Sequence, residues 1–491
     1  MSAPQVRSPG RRGLAAAAPQ WDIMGEPRAK VVIIGGGPGG YEAALVAAQL
    51  GAQVTVVERD GLGGACVLTD CVPSKTLIAT SGMMAALNDA PALGIRPDPA
   101  RECSGPALLA EVDAPRLYAR VRDLARAQSA DVTSRLAAEG VNVIRGAARL
   151  DGPRTVVVGD ATVTADVVLV ATGARPRELP GAVPDGERLL TCRQLYDLDE
   201  LPPELIVVGS GVTGAEFASA YQALGSQVTL VSSRERVLPH EDADAAAVVE
   251  DVFRRRGMTV LSRSRAAAAK RTDAGVEVIL EDGRAVRGSH CLLTVGMVPN
   301  TRGLGLEQAG ITLGAGEFVG VDRVSRTSAA GVYAAGDCTG VQMLASVAAM
   351  QGRIAMWHSL GEAVAPLQLS HVAATIFTEP EIATVGVSHR AVASGQADAV
   401  VVNLPLATNA RAKMQGFRDG FVKLFASRTG GIVLGGVVVA PRASELILAV
   451  SLAVEQHLTV AQMAHTFAVY PSLSGSLTEA ARRLMQPTEE A

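Results

Sequence analysis

The strongest constraint on this chain is a pattern that occurs twice. KVVIIGGGPGGYEAALVAAQLGAQVTVVERD begins at Lys30. An apolar, β-branched run enters Gly35, Gly37 and Gly40. An alanine-rich helical stretch follows, then a second apolar run ending at Glu58. This order of strand, G-x-G-x-x-G turn, helix, strand and acid predicts a parallel βαβ unit. The glycines permit a tight turn and close backbone approach to a pyrophosphate, which then faces the positive end of the helix. Glu58 lies 58 − 40 = 18 residues beyond the last glycine, where a ribose hydroxyl needs an acceptor.

The second copy, ELIVVGSGVTGAEFASAYQALGSQVTLVSSRERV, carries Gly209, Gly211 and Gly214. Here the equivalent position is 214 + 18 = 232, which is Ser232, followed by Ser233 and Arg234. An acid there would repel a 2′-phosphate, whereas serine and arginine would receive one. NADPH is therefore the expected second dinucleotide, with NADH also accepted. The alternative is that Arg234 is an ordinary solvated loop residue. Two dinucleotide sites in one chain imply a flavin, FAD, beside the nicotinamide.

Composition agrees with this class. A chain of 491 residues, 48% hydrophobic and with 51 glycines, fits an α/β protein of several domains rich in strand-to-helix turns. A net charge of −4 offers no electrostatic footprint for nucleic acid or anionic lipid. No run reaches the roughly 20 apolar residues of a membrane span. The nearest candidate, GIVLGGVVVA, reads as a buried strand pair. Six cysteines in so long a chain do not make a disulfide framework, and a reducing, cytoplasmic setting is expected. Residues 1–28, with their twin arginine and short apolar stub, read as a disordered tail, or as an over-extended start with Met24 as initiator.

Three further segments repeat the strand-to-glycine exit. VVLVATGARPRELP ends its strand at Ala171, Thr172 and Gly173, and LLTVGMVPNT does so at Gly296; each reads as a crossing between domains. TSAAGVYAAGDCTG runs into Gly336 and Asp337 ahead of a helix that includes Ala345. An acid there can bind a ribityl hydroxyl, and a helix dipole can stabilise negative charge on a reduced ring.

The stretch GGACVLTDCVPSK places Cys66 and Cys71 before Lys75. Metal ligation would want more partners than the chain offers nearby. A bridge would strain a regular helix, where residues five apart are separated by about 7.5 Å along the axis. Gly63, Gly64 and Pro73 would allow an irregular turn, and strained bridges are reducible. Two cysteines packed as small hydrophobes remain the alternative to a redox pair. Cys103, Cys192, Cys291 and Cys338 read as ordinary residues.

With these motifs in this order, residues 30–485 resemble the pyridine nucleotide-disulfide oxidoreductases. The resemblance implies an α/β architecture of two Rossmann-like dinucleotide-binding domains plus a C-terminal α+β dimerisation domain. The expected division is a flavin domain over 29–175, a nicotinamide domain over 176–296, a return to the flavin domain over 297–367, and an interface domain over 368–491. ATIFTEPEIATVG looks like the opening strand of the last. By the same resemblance Cys66 is the interchange thiol and Cys71 the charge-transfer thiol. Lys75 lies near the flavin's accepting nitrogen, Glu216 is its ion-pair partner, and Ala345 contacts the ring. The family's homodimer completes each active site with residues from the partner.

One family feature is missing. Disulfide reductases of this kind supply a base as His-Pro-Thr, followed by a glutamate that orients it. The matching stretch here is FAVYPSLSGSLTEAARR, with Pro471 as anchor. Tyr470 stands at the base position and Gly475 at the acid position; Glu479 comes too late and His465 too early. A tyrosine with an ordinary pKa near 10 is a poor base and a serviceable hydrogen-bond donor. The phrases GGACVLTDCVPSKT, GSGVTGAEF, NARAKM and YPSLSGSLTEAARRLM are similar to the lipoamide dehydrogenase-like quinone reductase branch. That branch often lacks the first cysteine, so Cys66 is a departure. The expected activity is NAD(P)H:quinone reduction. The alternatives are dihydrolipoamide dehydrogenase or another disulfide reductase, and, from another class, a non-catalytic flavoprotein partner in a complex.

Overall fold

The computed structural model describes residues 29–95 and 110–486. The expectations for residues 1–28, including Met24, and for Cys103 lie outside them.

The first nucleotide-binding unit opens with β1 (Lys30–Ile34), α1 (Pro38–Gln49) and β2 (Gln53–Glu58). A five-residue helix, α2 (Gly64–Leu68), leads into α3 (Cys71–Asp89). The long α4 (Ala114–Ala138) then feeds β3 (Asn142–Arg145) and, later, β4 (Val167–Val170). β4 is buried along its whole length, as its unbroken VVLV run requires of a strand covered on both faces.

The second unit repeats the plan with β5 (Glu204–Val208), α5 (Val212–Leu224), β6 (Gln227–Val231), α6 (Ala243–Arg255), β7 (Thr259–Leu261) and β8 (His290–Leu293). The chain then returns to the first unit through β9 (Val332–Ala334) and α7 (Ala345–Ser359).

The first sheet is parallel in the order β9-β4-β1-β2-β3. The second is parallel in the order β7-β6-β5-β8, closed by the two-residue strand Leu189–Leu190. The two passages between the units pair with each other: Ala174–Pro176 runs antiparallel to Met297–Pro299. Thr172 Oγ1 donates to the Asn300 carbonyl at 2.8 Å, and Asn300 Nδ2 donates back to the Thr172 carbonyl at 2.9 Å.

The third unit is an antiparallel sheet with helices. β10 (Ala374–Ile376), β11 (Glu381–Gly386), β12 (Ala399–Pro405), β13 (Phe421–Ser427) and β14 (Val433–Ala440) assemble in the order β10-β11-β14-β13-β12. Helices α8 (Ala443–Glu455) and α9 (Gly475–Leu484) complete it. Two expectations change here. GIVLGGVVVA is not a strand pair but one strand, β14, seated between β11 and β13. Gly435 and Gly436, inside the strand, face neighbouring backbone rather than turning the chain: a Cβ on Gly435 would lie 2.6 Å from the Val385 carbonyl oxygen. ATIFTEPEIATVG is not one strand but two, β10 and β11, paired antiparallel around the Thr378–Pro380 bend.

One buried cluster joins all three units. Leu77 and Tyr118 come from the first, Phe217 and Tyr221 from the second, and Ile376 and Phe425 from the third. Each such side chain contributes about 1.5–3 kcal/mol on leaving water. The Tyr118 and Tyr221 hydroxyls satisfy one another at 3.1 Å. A second tie is ionic. Lys423 of β13, with 2% of its side chain exposed, reaches Asp242 at 2.8 Å and Asp244 at 2.7 Å, at the start of α6. Among the described residues no helix is long and apolar enough to cross a membrane.

Candidate functional site

The two glycine turns have the same anatomy. Gly35 and Gly209 sit at φ +104° and +113°, where a Cβ would meet a carbonyl oxygen 2.3 Å away, of Ala171 and Thr294 respectively. A Cβ on Gly40 would lie 1.9 Å from the Gly35 carbonyl oxygen, and one on Gly214 1.9 Å from that of Gly209. These outer glycines therefore let helix and strand touch. The middle glycines differ: Gly37 would meet only the Gly64 Cα, at 4.0 Å, and Gly211 nothing within 4 Å. That open side, at the N-terminus of α1 or α5, is the space a pyrophosphate needs, so both turns fit a dinucleotide.

Glu58, at the end of β2, accepts from the Gly36 amide at 2.6 Å and the Asp60 amide at 2.7 Å. The carboxylate thus stands at the mouth of the first cradle. Ser232, the equivalent at the end of β6, points elsewhere. It is fully buried, and its hydroxyl lies 2.6 Å from that of Ser210 and bonds the Arg234 backbone. The expectation that Ser232 receives a phosphate is corrected on this geometry: a small side chain at a strand end turned into the core cannot reach a ligand. Ser233 and Arg234 are exposed beside it. The neighbouring Glu235 is paired with Arg263, so its charge is not left free next to them.

The strand-exit residues converge on the first unit. Ala171, Thr172 and Gly173 follow β4, and Gly296 follows β8 at φ +103°, accepting from the Arg177 amide at 2.9 Å. Gly336 and Asp337 follow β9, with the Gly336 amide held by Gln351 Oε1 at 2.9 Å. Burial, reinforced by Asp70, pushes the Asp337 carboxyl up to about 6. Ala345 is the first residue of α7, whose Leu344 cap supplies no side-chain acceptor, leaving its first amides open. α7 packs on α1 so closely that a Cβ on Gly352 would lie 2.1 Å from the Gly39 carbonyl oxygen.

Cys66 lies in α2 and Cys71 opens α3; both are free thiols. The irregularity that brings them together falls at Thr69–Asp70 rather than at Gly63, Gly64 or Pro73. Both the Thr69 and Asp70 amides return to the Ala65 carbonyl, ending α2. The neighbouring Cys71 thiol, against burial and the carboxylates of Asp70 and Asp337, holds Cys66 below the ordinary thiol range. The Cys66 thiol, with burial and Asp70, in turn pushes Cys71 far up.

One helical turn on, Lys75 Nζ meets Glu216 Oε2 of α5 at 2.7 Å. The Glu216 side chain is only 4% exposed. Its other oxygen accepts from the Phe377 amide at 2.9 Å, and Lys75 Nζ sits 4.9 Å from the Phe377 ring centre. Burial works against the Lys75 ammonium, but Glu216 outweighs it and leaves the amine above its usual value.

Phe377 and Asp70 escaped the sequence reading. Phe377 is far along the chain and nothing local marks it. Asp70 stands inside the quoted cysteine stretch, and a carboxylate next to a thiol was the available signal.

Tyr470 lies apart from these groups in the described chain, 85% exposed on a segment with Phe467 and Val469, which are also exposed. Gly475 opens α9. Glu479 is taken up by Arg482 at 2.8 Å and Arg483 at 3.1 Å, and Arg482 holds its carboxyl down at about 2. It is not available to orient a base.

Comparison with known proteins places this geometry. The family described as pyridine nucleotide-disulphide oxidoreductase matches residues 29–352, and its dimerisation domain matches residues 372–481. An NAD(P)H dehydrogenase (quinone) of Mycobacterium tuberculosis is 57% identical over 93% of this chain and 94% of its own length. A dihydrolipoyl dehydrogenase of Zymomonas mobilis is 33% identical over 91% of this chain and 96% of its own. The crystal structure of LpdA from Mycobacterium tuberculosis superposes with a TM-score of 0.87 at 56% identity, covering 93% of this chain and 100% of that one. The chain belongs to the pyridine nucleotide-disulphide oxidoreductases, a family of flavin- and nicotinamide-dependent oxidoreductases.

Proposed function

We propose that the protein carries reducing equivalents from NADPH, with NADH as a second donor, through bound FAD to a quinone. The observation that carries this reading is the pair Tyr470 and Gly475 where thiol chemistry needs a base and its orienting acid, with Glu479 already committed to two arginines. The relative named NAD(P)H dehydrogenase (quinone) supports it.

FAD would supply two-electron transfer between the nicotinamide and the acceptor. The chain's own residues hold the reactants. The Gly35–Gly40 turn and Glu58 would take the adenylate end of FAD, and Asp337 a ribityl hydroxyl. Ala345 would place the open amides of α7 against the ring. The Gly209–Gly214 turn would take the nicotinamide dinucleotide, with Arg234 the cation available to a 2′-phosphate. Lys75, fixed by Glu216 and Phe377, would hold a positive charge beside the ring. The exposed strip Phe467–Tyr470 suits contact with a second copy, so each site of a homodimer would gain a Tyr470 hydroxyl able to donate to a quinol oxygen.

Disulfide reduction, as in dihydrolipoyl dehydrogenase, is favoured by one observation: both thiols are present, at the adjoining ends of α2 and α3. The deciding experiment measures NADPH and NADH oxidation with a naphthoquinone or benzoquinone beside lipoamide reduction. Quinone turnover with little lipoamide turnover is expected; robust lipoamide turnover overturns the proposal. Retention of FAD with no turnover on any acceptor would return the non-catalytic reading.

A further inference from the structure

Two strand ends frame the ribose side of the second cradle. β6 and β7 run parallel in register, with Val231 opposite Leu261. Both therefore finish at the same edge of the sheet, and a dinucleotide lies outside the carboxyl ends of such strands. The pairing continues past the strands themselves. The Ser232 amide donates to the Leu261 carbonyl at 2.9 Å, and the Ser264 amide to the Ser232 carbonyl at 2.7 Å. The Arg263 amide donates to the Arg234 carbonyl at 2.7 Å. Arg234 and Arg263 leave different strands, yet their backbones are bonded side by side.

Arg263 holds φ at +52°, an uncommon conformation for a residue with a side chain. A backbone outlier kept at a ligand-binding edge points to a use for the residue that adopts it. Its guanidinium is paired with Glu235, the residue after Arg234. The two side chains are 74% and 76% exposed. A pair so open to water contributes little to stability, so its partners are readily exchanged.

The ligand supplies the reason to exchange them. A phosphate monoester carries about 1.5–2 negative charges at pH 7 and three acceptor oxygens. One guanidinium leaves about half of that charge uncompensated, whereas two match it. The phosphate therefore attracts Arg263 more strongly than the single charge of Glu235 does. NADH brings no such group. With NADH the pair of Arg263 and Glu235 stays intact, and the Glu235 charge remains neutralised beside the ribose.

We propose that Arg263 is a specificity-determining residue of the nicotinamide site: it leaves Glu235 for the 2′-phosphate of NADPH and holds that phosphate together with Arg234. The inference rests on the reading of the second unit as a site for NADPH that also accepts NADH. It deepens that reading by adding a second cation, from a different strand, and by giving the exchangeable pair through which both donors fit.

The test is calorimetric titration of the FAD-loaded protein with adenosine 2′,5′-bisphosphate and with 5′-AMP, which differ only in the 2′-phosphate. Neither probe transfers electrons, so the result is independent of the acceptor. The natural sequence should bind the bisphosphate at least about tenfold more tightly. Arg263→Asn removes the charge and keeps a residue that tolerates the left-handed backbone. It should weaken the bisphosphate about tenfold to a hundredfold and leave 5′-AMP unchanged. Glu235→Gln, which frees Arg263, should tighten the bisphosphate by about twofold to fivefold. A full preference for the bisphosphate in Arg263→Asn, or a weakened one in Glu235→Gln, overturns the role of Arg263 and leaves the NADPH reading standing. No preference in the natural sequence overturns both.

Discussion

Replacing Glu216 by glutamine removes one charge and little else. The amide can still accept from the Phe377 N–H, now at 2.9 Å, and still sits beside Lys75 Nζ, now at 2.7 Å. What is lost is the charge-assisted part of the Lys75 contact, about 1.5–3 kcal/mol. Lys75→Met should be worse, because it strands a carboxylate that is only 4% exposed; breaking a buried pair in this way costs about 3–5 kcal/mol. The double variant should recover part of the loss, with a coupling of about 1–3 kcal/mol.

The pH dependence gives a sharper signature. In the natural sequence Lys75 is held above its ordinary value, so its stabilisation is complete below about pH 10.4 and fades as pH rises through the higher, folded-state value. In Glu216→Gln the strongest partner is gone, so burial, opposed only by the weaker pull of Cys71 and Asp70, draws the amine down from its raised value. That variant is penalised at neutral pH and relieved as the lysine deprotonates. The stability gap between the two proteins must therefore shrink between pH 7.5 and pH 10.5. Urea unfolding of the FAD-loaded proteins at both pH values measures it. A gap independent of pH, or single-variant effects that simply add in the double, would refute the ion-pair account.

Other outcomes follow from the same geometry. Gly211→Ala should fold normally and raise the KM for NADPH at least about tenfold, because its methyl fills only the phosphate space, whereas Gly214→Ala should destabilise the second unit through its 1.9 Å clash, as thermal unfolding will show. Arg234→Glu should shift the NADPH-to-NADH ratio of kcat/KM toward NADH by about tenfold to a hundredfold, from the loss of a charge-assisted bond of about 1.5–3 kcal/mol; an unchanged ratio rejects Arg234 as the phosphate ligand. Tyr470→His combined with Gly475→Glu should raise lipoamide turnover by a factor on the order of 10², the lower range of general-base catalysis, and no gain would show that a missing base is not what limits thiol chemistry here. Lys423→Met should cost about 3–5 kcal/mol in chemical unfolding, since it leaves Asp242 buried without its cation.

The parts of the site that were legible in the sequence are those in which one short segment does the whole job. The two glycine turns, Glu58, and the strand exits at Ala171–Gly173, Gly296 and Gly336–Asp337 each depend on residues within a few positions of one another. Backbone sterics and a period-two apolar run suffice to mark them. The errors came where a side chain's direction or a strand's partner mattered. Ser232 is at the expected place in the chain, but its hydroxyl turns to Ser210 and the core. GIVLGGVVVA has the composition of a turn between two strands, yet Gly435 and Gly436 serve close approach inside β14.

Sequence alone determined that the chain builds two parallel nucleotide-binding units, that Cys66, Cys71 and Lys75 share one segment, and that tyrosine rather than histidine immediately precedes Pro471. These follow from local spacing, which survives without knowledge of the fold. Only the tertiary structure decided what surrounds that segment. Glu216 comes from the second unit and Phe377 from the third, and both meet Lys75 because the three units close over one apolar cluster. The same closure half-buries Asp70 beside Cys71, with its nearby lysine already paired. Burial and charge pairing are properties of the assembled core, so the state of the thiols is set there and not by the residues that spell out the motif.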